Sequence, residues 1–239
     1  MRRRYVASVF VSLGLAFAAC TYAGSYPTRQ SSSSSSSLPA SAPKNRDVHG
    51  PPNVAAYIAQ LENQKREGYL PTKRLVELLK LTGRERVADL GCGPGVVSVE
   101  LANALPSGIV LAIDVEPAQL DRLNTKITKD GIRNVVPVLC TTDDARIPPG
   151  FADIIVIVDT YHHFDDRVAY LRRLRASLAP GGKIVNIDFK DGDLPEGPPA
   201  AHKVAKATML AEFAEAGFRM AREENEFPYH DYTVFEMAP

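Results

Sequence analysis

The feature that most constrains this fold is an uninterrupted apolar run, Ile154 to Val158, inside a domain-sized stretch of chain. The run contains no alternation of apolar and polar residues, so it indicates a strand that is buried on both faces. Strands of this kind occur in parallel sheets whose two sides are covered by helices. The run therefore predicts an α/β protein rather than an open antiparallel sheet.

Strand-like and helix-like stretches alternate on both sides of this run. The predicted strands are 86–90, 109–114, 134–139, 153–159 and 183–189. The predicted helices are 53–64, 71–81, 96–105, 117–130, 166–178 and about 203–216. Two final strands, 217–222 and 232–237, are predicted to form an antiparallel pair. The alternation predicts a doubly wound α/β sheet, mostly parallel, with an antiparallel strand pair at its C-terminal end and helices on both faces.

The first fifty residues predict a targeting signal and a linker. Three arginines precede an apolar stretch that is too short to span a bilayer, and small residues follow it, as in a secretory signal peptide. The segment ending at Cys20 resembles a bacterial lipoprotein cleavage box, in which the cysteine becomes lipidated, although Phe17 departs from it. Cleavage at an ordinary signal site is the alternative.

The serine run 31–37 and its flanking prolines cannot bury enough apolar surface to fold. We therefore expect a signal at 1–20, a flexible linker at 21–50 and one domain at 51–239. This organisation predicts an exported, membrane-anchored periplasmic lipoprotein. It predicts a cytoplasmic protein if the true start lies further along the chain.

Charge and cysteine content limit the partners. The chain has 28 Lys and Arg residues and 28 Asp and Glu residues, so it lacks the basic excess of a nucleic-acid-binding protein. Its three cysteines, Cys20, Cys92 and Cys140, are too few for a disulfide framework and lack zinc-ligand spacing. We expect neither a nucleic-acid partner nor a bound metal.

A glycine-rich turn follows the first predicted strand and indicates a ligand site. It reads Asp89-Leu90-Gly91-Cys92-Gly93-Pro94-Gly95. Three glycines at alternate positions let the backbone turn sharply and approach a ligand. The dinucleotide fingerprint has a different spacing, Gly-x-Gly-x-x-Gly, and an acid beside its pyrophosphate would be repelled. An acid attracts the amino group of a methionine moiety, so the charge favours S-adenosyl-L-methionine over NAD as the cofactor.

Polar residues also follow the next two strands, and ligands of doubly wound sheets bind beyond the carboxyl ends of strands. Asp114 ends the second predicted strand, where a carboxylate can accept both hydrogens of a ribose diol, as it also does in NAD sites. Thr142 and Asp143 follow the third strand. They would either contact an adenine edge or form a turn or helix cap.

Together these segments resemble the class I S-adenosylmethionine-dependent methyltransferases, in particular their small-molecule, single-domain branch with a Rossmann-like fold. The matching segments are VADLGCGPG, VLAIDVEP, TTDDARIPPGFADIIVIVDTYHHF, LAPGGKIVNIDF and AEFAEAGFRM. They span about residues 84–239. Their order and spacing make the resemblance specific, which a glycine-rich turn alone would not.

The resemblance implies a set of cofactor contacts. Asp89, Gly91 and Gly93 would contact the methionine part of the cofactor, with Asp159 beside it. Asp114 would hold the ribose. The residues that we expect in the cofactor site are Asp89, Gly91, Cys92, Gly93, Gly95, Asp114, Val115, Thr142, Asp143 and Asp159. One departure affects the adenine contact, because Cys140-Thr141-Thr142 stands where the family often has Gly-Asp-Ala.

The residues after the fourth strand, Tyr161, His162 and His163, are the candidates for the acceptor side. Methyl transfer depends largely on orientation, and a general base is needed only if the acceptor loses a proton. A histidine titrates in the useful range, but histidine at this turn also commonly begins a helix in the family. The Asn-Pro-Pro-Tyr motif of enzymes that methylate base or glutamine nitrogens is absent from this sequence, which favours a small organic acceptor.

Two other functions stay open at this point. One is a nucleotide-dependent oxidoreductase on a Rossmann fold, against which Asp89 argues. The other is a non-catalytic S-adenosylmethionine-binding module tethered to a membrane. The glycines of the turn and Asp114 indicate that such a module would still bind its ligand.

Overall fold

The computed structural model describes residues 53–239, so the predicted signal, the linker and Cys20 lie outside the described residues. The strands are β1 (Arg86–Leu90), β2 (Ile109–Asp114), β3 (Val135–Leu139), β4 (Ala152–Val158), β5 (Leu178–Phe189), β6 (Phe218–Glu224) and β7 (His230–Met237). The helices are α1 (Val54–Leu61), α2 (Gln64–Tyr69), α3 (Thr72–Leu78), α4 (Val96–Ala104), α5 (Pro117–Asp130), α6 (Arg167–Ser177) and α7 (Lys206–Glu215). Two short 3₁₀ turns lie at Tyr161–His163 and Ala200–His202.

The seven strands form one sheet in the order β3-β2-β1-β4-β5-β7-β6. The first five are parallel, whereas β7 runs antiparallel to both β5 and β6. The predicted α/β sheet with an antiparallel pair at the C-terminal end is thus confirmed. Because β1 lies between β2 and β4, the carboxyl ends of these three strands meet at one edge of the sheet, which we call the carboxyl edge.

Helices cover both faces of the sheet, and each face has its own apolar core. On one face, side chains of α3, α4 and α5 pack against β1, β2 and β4, including Leu75, Leu101 and Leu123, which are fully buried. On the other face, α6 and α7 contribute Leu171 and Phe213. The apolar run that predicted burial on both faces therefore lies at the centre of the sheet.

The N-terminal helices differ from the prediction. The chain forms two short helices, α1 and α2, where one was expected, and the side chains of Asn53 and Asn63 accept backbone N–H groups at their starts. The sequence of α2, QKREGY, has no apolar stripe, so periodicity could not reveal it. We call α1 and α2 together the N-terminal cover.

The strand β5 begins five residues earlier than expected, at Leu178. Leu178 pairs with Ala152, and the register then shifts before Ile154 pairs with Lys183. A Cβ on Gly182 would lie 2.9 Å from the carbonyl oxygen of Ala152, so a glycine is needed for this close pairing. Within residues 53–239, no helix has the length and apolar character that a membrane span requires.

Candidate functional site

The glycine-rich turn lies at the carboxyl edge and is packed tightly against its neighbours. Gly91, Gly93 and Gly95 have φ values of +76°, +54° and +78°, a region that favours glycine. A Cβ on Gly91 would lie 2.2 Å from Oγ1 of Thr160, and one on Gly95 would lie 2.3 Å from Cδ1 of Leu123. Gly91 and Gly95 therefore have no room for a side chain, and the turn keeps its sharp course only with glycine at these positions.

Asp89 lies at the end of β1, buried behind this turn. The hydroxyl of Ser98 donates to its Oδ2 at 2.5 Å. Burial raises the pKa of Asp89 to about 6, with the hydrogen bond from Ser98 opposing the increase and the nearby Asp114 adding to it. Because this buried carboxylate is poorly solvated, a bound cation would stabilise its ionised form more strongly than it would stabilise a surface carboxylate.

The raised pKa of Asp89 predicts a pH-dependent effect of Asp89→Asn on the ligand-free protein. Because the folded-state pKa lies above the unfolded value, ionisation of Asp89 destabilises the fold as the pH rises from about 4 to about 6, and the full penalty is present above that. At pH 8 we expect Asp89→Asn to raise the free energy of unfolding by about 1–3 kcal/mol. At pH 5 the gain should fall to about half, because the penalty builds up between the unfolded pKa of about 3.9 and the folded pKa of about 6. Urea unfolding at both pH values measures this.

Asp153→Asn is the control for that measurement, because its pairing with Arg86 lowers the pKa of Asp153. This variant should lose stability at pH 8 instead of gaining it. A gain from Asp89→Asn that is equal at pH 5 and pH 8 would show that the charge of Asp89 is not the cause.

Asp114 ends β2 on the other side of the turn. Its Oδ2 accepts the N–H of Gly93 at 2.8 Å, and its Oδ1 accepts the N–H of Glu116 at 2.9 Å. Burial raises the pKa of Asp114, although both amide hydrogen bonds oppose the increase. Each carboxylate oxygen can accept more than one hydrogen bond, so Asp114 can also accept a ligand diol.

Asp159 follows β4 and forms a buried cluster with residues that are distant in sequence. Its Oδ2 lies 2.9 Å from Nη2 of Arg66 in α2, and its Oδ1 lies 2.9 Å from Nε2 of His230 at the start of β7. Burial acts to raise the pKa of Asp159, but His230 and Arg66 outweigh it and hold the pKa at about 2. Asp159 is therefore an anion over the whole physiological range.

The N-terminal cover packs over the same edge. Cδ1 of Leu61 would lie 3.1 Å from a Cβ on Gly93. Glu62 binds Arg122 of α5, with 2.8 Å between Oε2 and Nη2. Burial raises the pKa of Tyr57, and the charge of Asp159 adds to the increase. The cover thus supplies residues to the site as well as enclosing it.

The predicted adenine-side residues lie at the exposed margin of the site. Val115 follows Asp114 and is 42% exposed, which leaves its side chain accessible to a flat ring. Thr142 and Asp143 are exposed. The Thr141 hydroxyl donates to Oδ1 of Asp143 at 2.7 Å, and the Thr141 N–H donates to the carbonyl of Asp144 at 3.1 Å. Residues 141–144 therefore form a turn, which is one of the structures that the sequence allowed for Thr142 and Asp143.

Cys92 and Cys140 are buried free thiols. Burial raises the pKa of both, to about 12 for Cys140. They belong to the cores on opposite faces of the sheet. Across residues 53–239, no cluster of three His, Cys, Asp or Glu side chains is arranged to hold a metal ion.

The three acceptor-side candidates differ in their surroundings. Tyr161 is fully buried, and its hydroxyl donates to Oε2 of Glu212 at 2.6 Å, so its place is in the core beneath α7. Nδ1 of His162 lies 2.8 and 3.0 Å from the two carboxylate oxygens of Asp188, at the end of β5. His163 is exposed beside it. The Asp188 carboxylate thus orients the His162 ring beside the end of β5.

Sequence reasoning missed the partners of these residues. Arg66 and His230 lie 93 and 71 positions from Asp159 along the chain, and no local pattern links them. Asp188 did carry a signal, because it is an acid near the end of a predicted strand, as Asp89 and Asp114 are.

The site fits a ligand with polar groups. Oε1 of Gln119, in α5 near Gly93, is buried and without a hydrogen-bond partner among the described residues, and so is Nδ1 of His230. Unsatisfied buried polar atoms are costly, so these two atoms are candidates for contact with a bound ligand.

Part of the chain is similar to known methyltransferases. Residues 87–182 match the family model described as "Methyltransferase domain". The 27-O-demethylrifamycin SV methyltransferase of Amycolatopsis mediterranei is 29% identical over 49% of this chain and 43% of its own length. Aklanonic acid methyltransferase DauC of a Streptomyces species is 27% identical over 60% of this chain and 66% of its own length. The matches thus span between 43% and 66% of these two relatives.

Solved structures show the same fold. A SAM-dependent methyltransferase from Aquifex aeolicus superposes with a TM-score of 0.73, at 22% identity, over 77% of this chain and 98% of its own. The trans-methyltransferase CalH in complex with SAH gives a TM-score of 0.61 at 16% identity, over 78% of this chain and 62% of its own. Residues 87–182 are thus similar to a methyltransferase domain, and the fold is that of solved S-adenosylmethionine-dependent methyltransferases.

Proposed function

We propose that this protein transfers a methyl group from S-adenosylmethionine to a small-molecule acceptor. The observation that carries the proposal is the turn Gly91–Gly95, whose three glycines with left-handed φ lie between the buried carboxylates of Asp89 and Asp114. A dinucleotide-dependent oxidoreductase would have to place a pyrophosphate beside Asp89, which is electrostatically unfavourable.

In this proposal the carboxyl edge binds and orients the cofactor. Asp114 would accept the ribose hydroxyls, while Asp89 and Asp159 would face the positively charged end. When bound, S-adenosylmethionine supplies an electrophilic methyl group on a sulfonium. The chain's task is then to exclude water and to hold the acceptor in line, which supplies a large share of such a rate enhancement.

A small-molecule acceptor is supported by two relatives whose names specify rifamycin SV and aklanonic acid compounds. We propose His162 as the proton acceptor for acceptors that must lose a proton. Asp188 holds Nδ1 of His162, which leaves Nε2 as the ring nitrogen that can take a proton. Burial acts to lower the pKa of His162, but the hydrogen bond and charge of Asp188 outweigh burial and raise this pKa. Asp188 therefore stabilises the protonated imidazole of His162.

Calorimetry of the full chain with S-adenosylmethionine, S-adenosylhomocysteine and NAD tests the cofactor side of the proposal. We expect micromolar binding of the two adenosyl sulfur ligands and none of NAD. Asp114→Asn should weaken both by about 10-fold or more, because charge-assisted hydrogen bonds contribute about 1.5–3 kcal/mol. Asp121→Asn, on the exposed face of α5, should leave both affinities unchanged. Binding of NAD alone, or of no ligand, would reject the proposal.

A further inference from the structure

The turn that carries His162 is too short to hold its own position. It is the single 3₁₀ turn Tyr161–His163, in which the N–H of His163 donates to the carbonyl of Thr160 at 2.9 Å. The side chain of Thr160, at the start of the turn, does not cap it. Hydrogen bonds in 3₁₀ turns have poor geometry, so contacts from other elements must fix the His162 ring.

One of these contacts comes from β5. The Asp188 carboxylate accepts the backbone N–H of His162 at 3.2 Å and also lies 2.8 Å from its ring nitrogen Nδ1. A hydrogen bond is lost when its atoms separate by about a further ångström. Asp188 can therefore orient the His162 ring only while the turn stays close to the end of β5.

The preceding residue, Tyr161, attaches the same turn to α7. Tyr161 is fully buried, and its ring centroid lies 5.4 Å from that of Phe213 in α7. A phenylalanine would make the same packing contact, and a buried hydroxyl is costly unless it is hydrogen-bonded. The Tyr161 hydroxyl donates to Oε2 of Glu212 at 2.6 Å. It thus adds a directional contact that packing alone does not require.

Glu212 is itself held in one orientation by the first residue of α6. Nε of Arg167 donates to Oε2 of Glu212 at 2.7 Å, and Nη2 donates to Oε1 at 2.8 Å. This bidentate arrangement is the geometrically most specific contact between a guanidinium and a carboxylate. The turn is therefore fixed to α6 and α7 through Tyr161, and to β5 through Asp188.

We propose that Tyr161 and Glu212 are positioning residues for His162. Their hydrogen bond holds the turn close enough to β5 for Asp188 to keep the His162 ring with Nδ1 protonated and Nε2 unprotonated. The inference rests on the proposed function, in which Nε2 of His162 accepts a proton. The hydrogen bond at one ring nitrogen sets which nitrogen carries the proton. Loosening the turn therefore converts one neutral tautomer into a mixture of two.

The tautomer of His162 can be measured without an acceptor. Long-range ¹H–¹⁵N NMR spectra of the full chain, labelled at histidine and recorded above the pKa of the ring, distinguish protonated from unprotonated ring nitrogens. His162→Gln identifies the signals of this ring. Wild type should show the tautomer with Nδ1 protonated. Tyr161→Phe, which keeps the buried ring, and Glu212→Ala should both show a mixture of tautomers.

Two further variants separate positioning from a general effect on stability. Glu212→Gln should keep the wild-type tautomer, because its amide oxygen can still accept the Tyr161 hydroxyl, although it loses the charge that pairs with Arg167. Glu215→Gln is the matched control, because Glu215 lies one turn later in α7 and pairs with Arg172 of α6 at the exposed surface. It should also leave the tautomer unchanged.

The wild-type tautomer in both Tyr161→Phe and Glu212→Ala overturns the inference, and so does a mixture of tautomers in wild type. A mixture in Glu215→Gln would also overturn it, because any loosening of α6 and α7 would then have the same effect. The proposed function is rejected by a different measurement. If wild type binds no S-adenosylmethionine in calorimetry, the function fails whichever tautomer His162 adopts.

Discussion

Gly91→Ala is expected to reduce cofactor affinity by about 100-fold or more. Its new Cβ would lie 2.2, 2.5 and 2.8 Å from three atoms of the Thr160 side chain, so the turn or Thr160 must move by about an ångström. A displacement of that size in a binding site can cost about 100-fold. The left-handed φ of Gly91 adds about 1–2 kcal/mol of backbone strain. Calorimetry with S-adenosylhomocysteine measures the loss.

Gly131→Ala separates the steric effect from the strain. Gly131 also has a left-handed φ, +68°, but a Cβ there would meet no atom within 4 Å. This variant should lose about 1 kcal/mol of stability and keep its affinity. Adding Thr160→Gly to Gly91→Ala should restore part of the binding by removing the clash. Wild-type affinity of the single variant would show that the turn does not hold the cofactor as described.

Asp159→Ala is expected to lower the free energy of unfolding by about 3–5 kcal/mol at pH 7, because it leaves the buried guanidinium of Arg66 without its counter-ion. The substitution also removes the acceptor of the His230 ring N–H. Urea unfolding of the ligand-free protein measures the effect.

The control lies at the opposite end of the same strand. Asp153, in β4, also pairs with an arginine, but the side chains of Asp153 and Arg86 are 36% and 43% exposed. Asp153→Ala should therefore cost at most about 1–2 kcal/mol, including the amide hydrogen bond from Arg86. Equal losses from the two variants would show that burial of the Arg66–Asp159 pair has no energetic consequence.

The pH dependence of this loss follows from the lowered pKa. Because the folded-state pKa of Asp159 is about 2 and the unfolded value is about 3.9, its stabilisation is fully present above about pH 4. It is lost as the pH falls towards 2. The difference between wild type and Asp159→Ala should therefore shrink between pH 4 and pH 2 and stay constant from pH 5 to pH 7.

The local patterns of this sequence predicted the sheet well. The bounds of β1 and β2 match the prediction, and the sixth and seventh strands form the expected antiparallel pair. These elements are short apolar runs between glycines and polar turns, so each segment carries its own signal. The polar helix α2 carries no such signal, and the pairing of Leu178 with Ala152 depends on a register that the sequence does not display.

The candidate site was also predictable only in part. Asp89, Asp114 and Asp159 could be expected from the positions of the strand ends alone, because the topology brings those ends together. The residues that pair with Asp159 could not be expected in this way. Arg66 reaches Asp159 from a helix that precedes the sheet, and His230 reaches it from the last strand. The burial of Tyr161 likewise depends on Glu212 of α7, an interaction that neighbouring residues do not indicate.

The position of β7 has a consequence for how the molecule is assembled. This strand lies between β5 and β6 although it follows both in sequence. Until residues 230–237 have left the ribosome, β5 has an unpaired edge and β6 has no neighbour in the sheet. Open strand edges favour aggregation during synthesis. The sheet, together with the His230 contact to Asp159, can therefore be completed only after translation has passed residue 237.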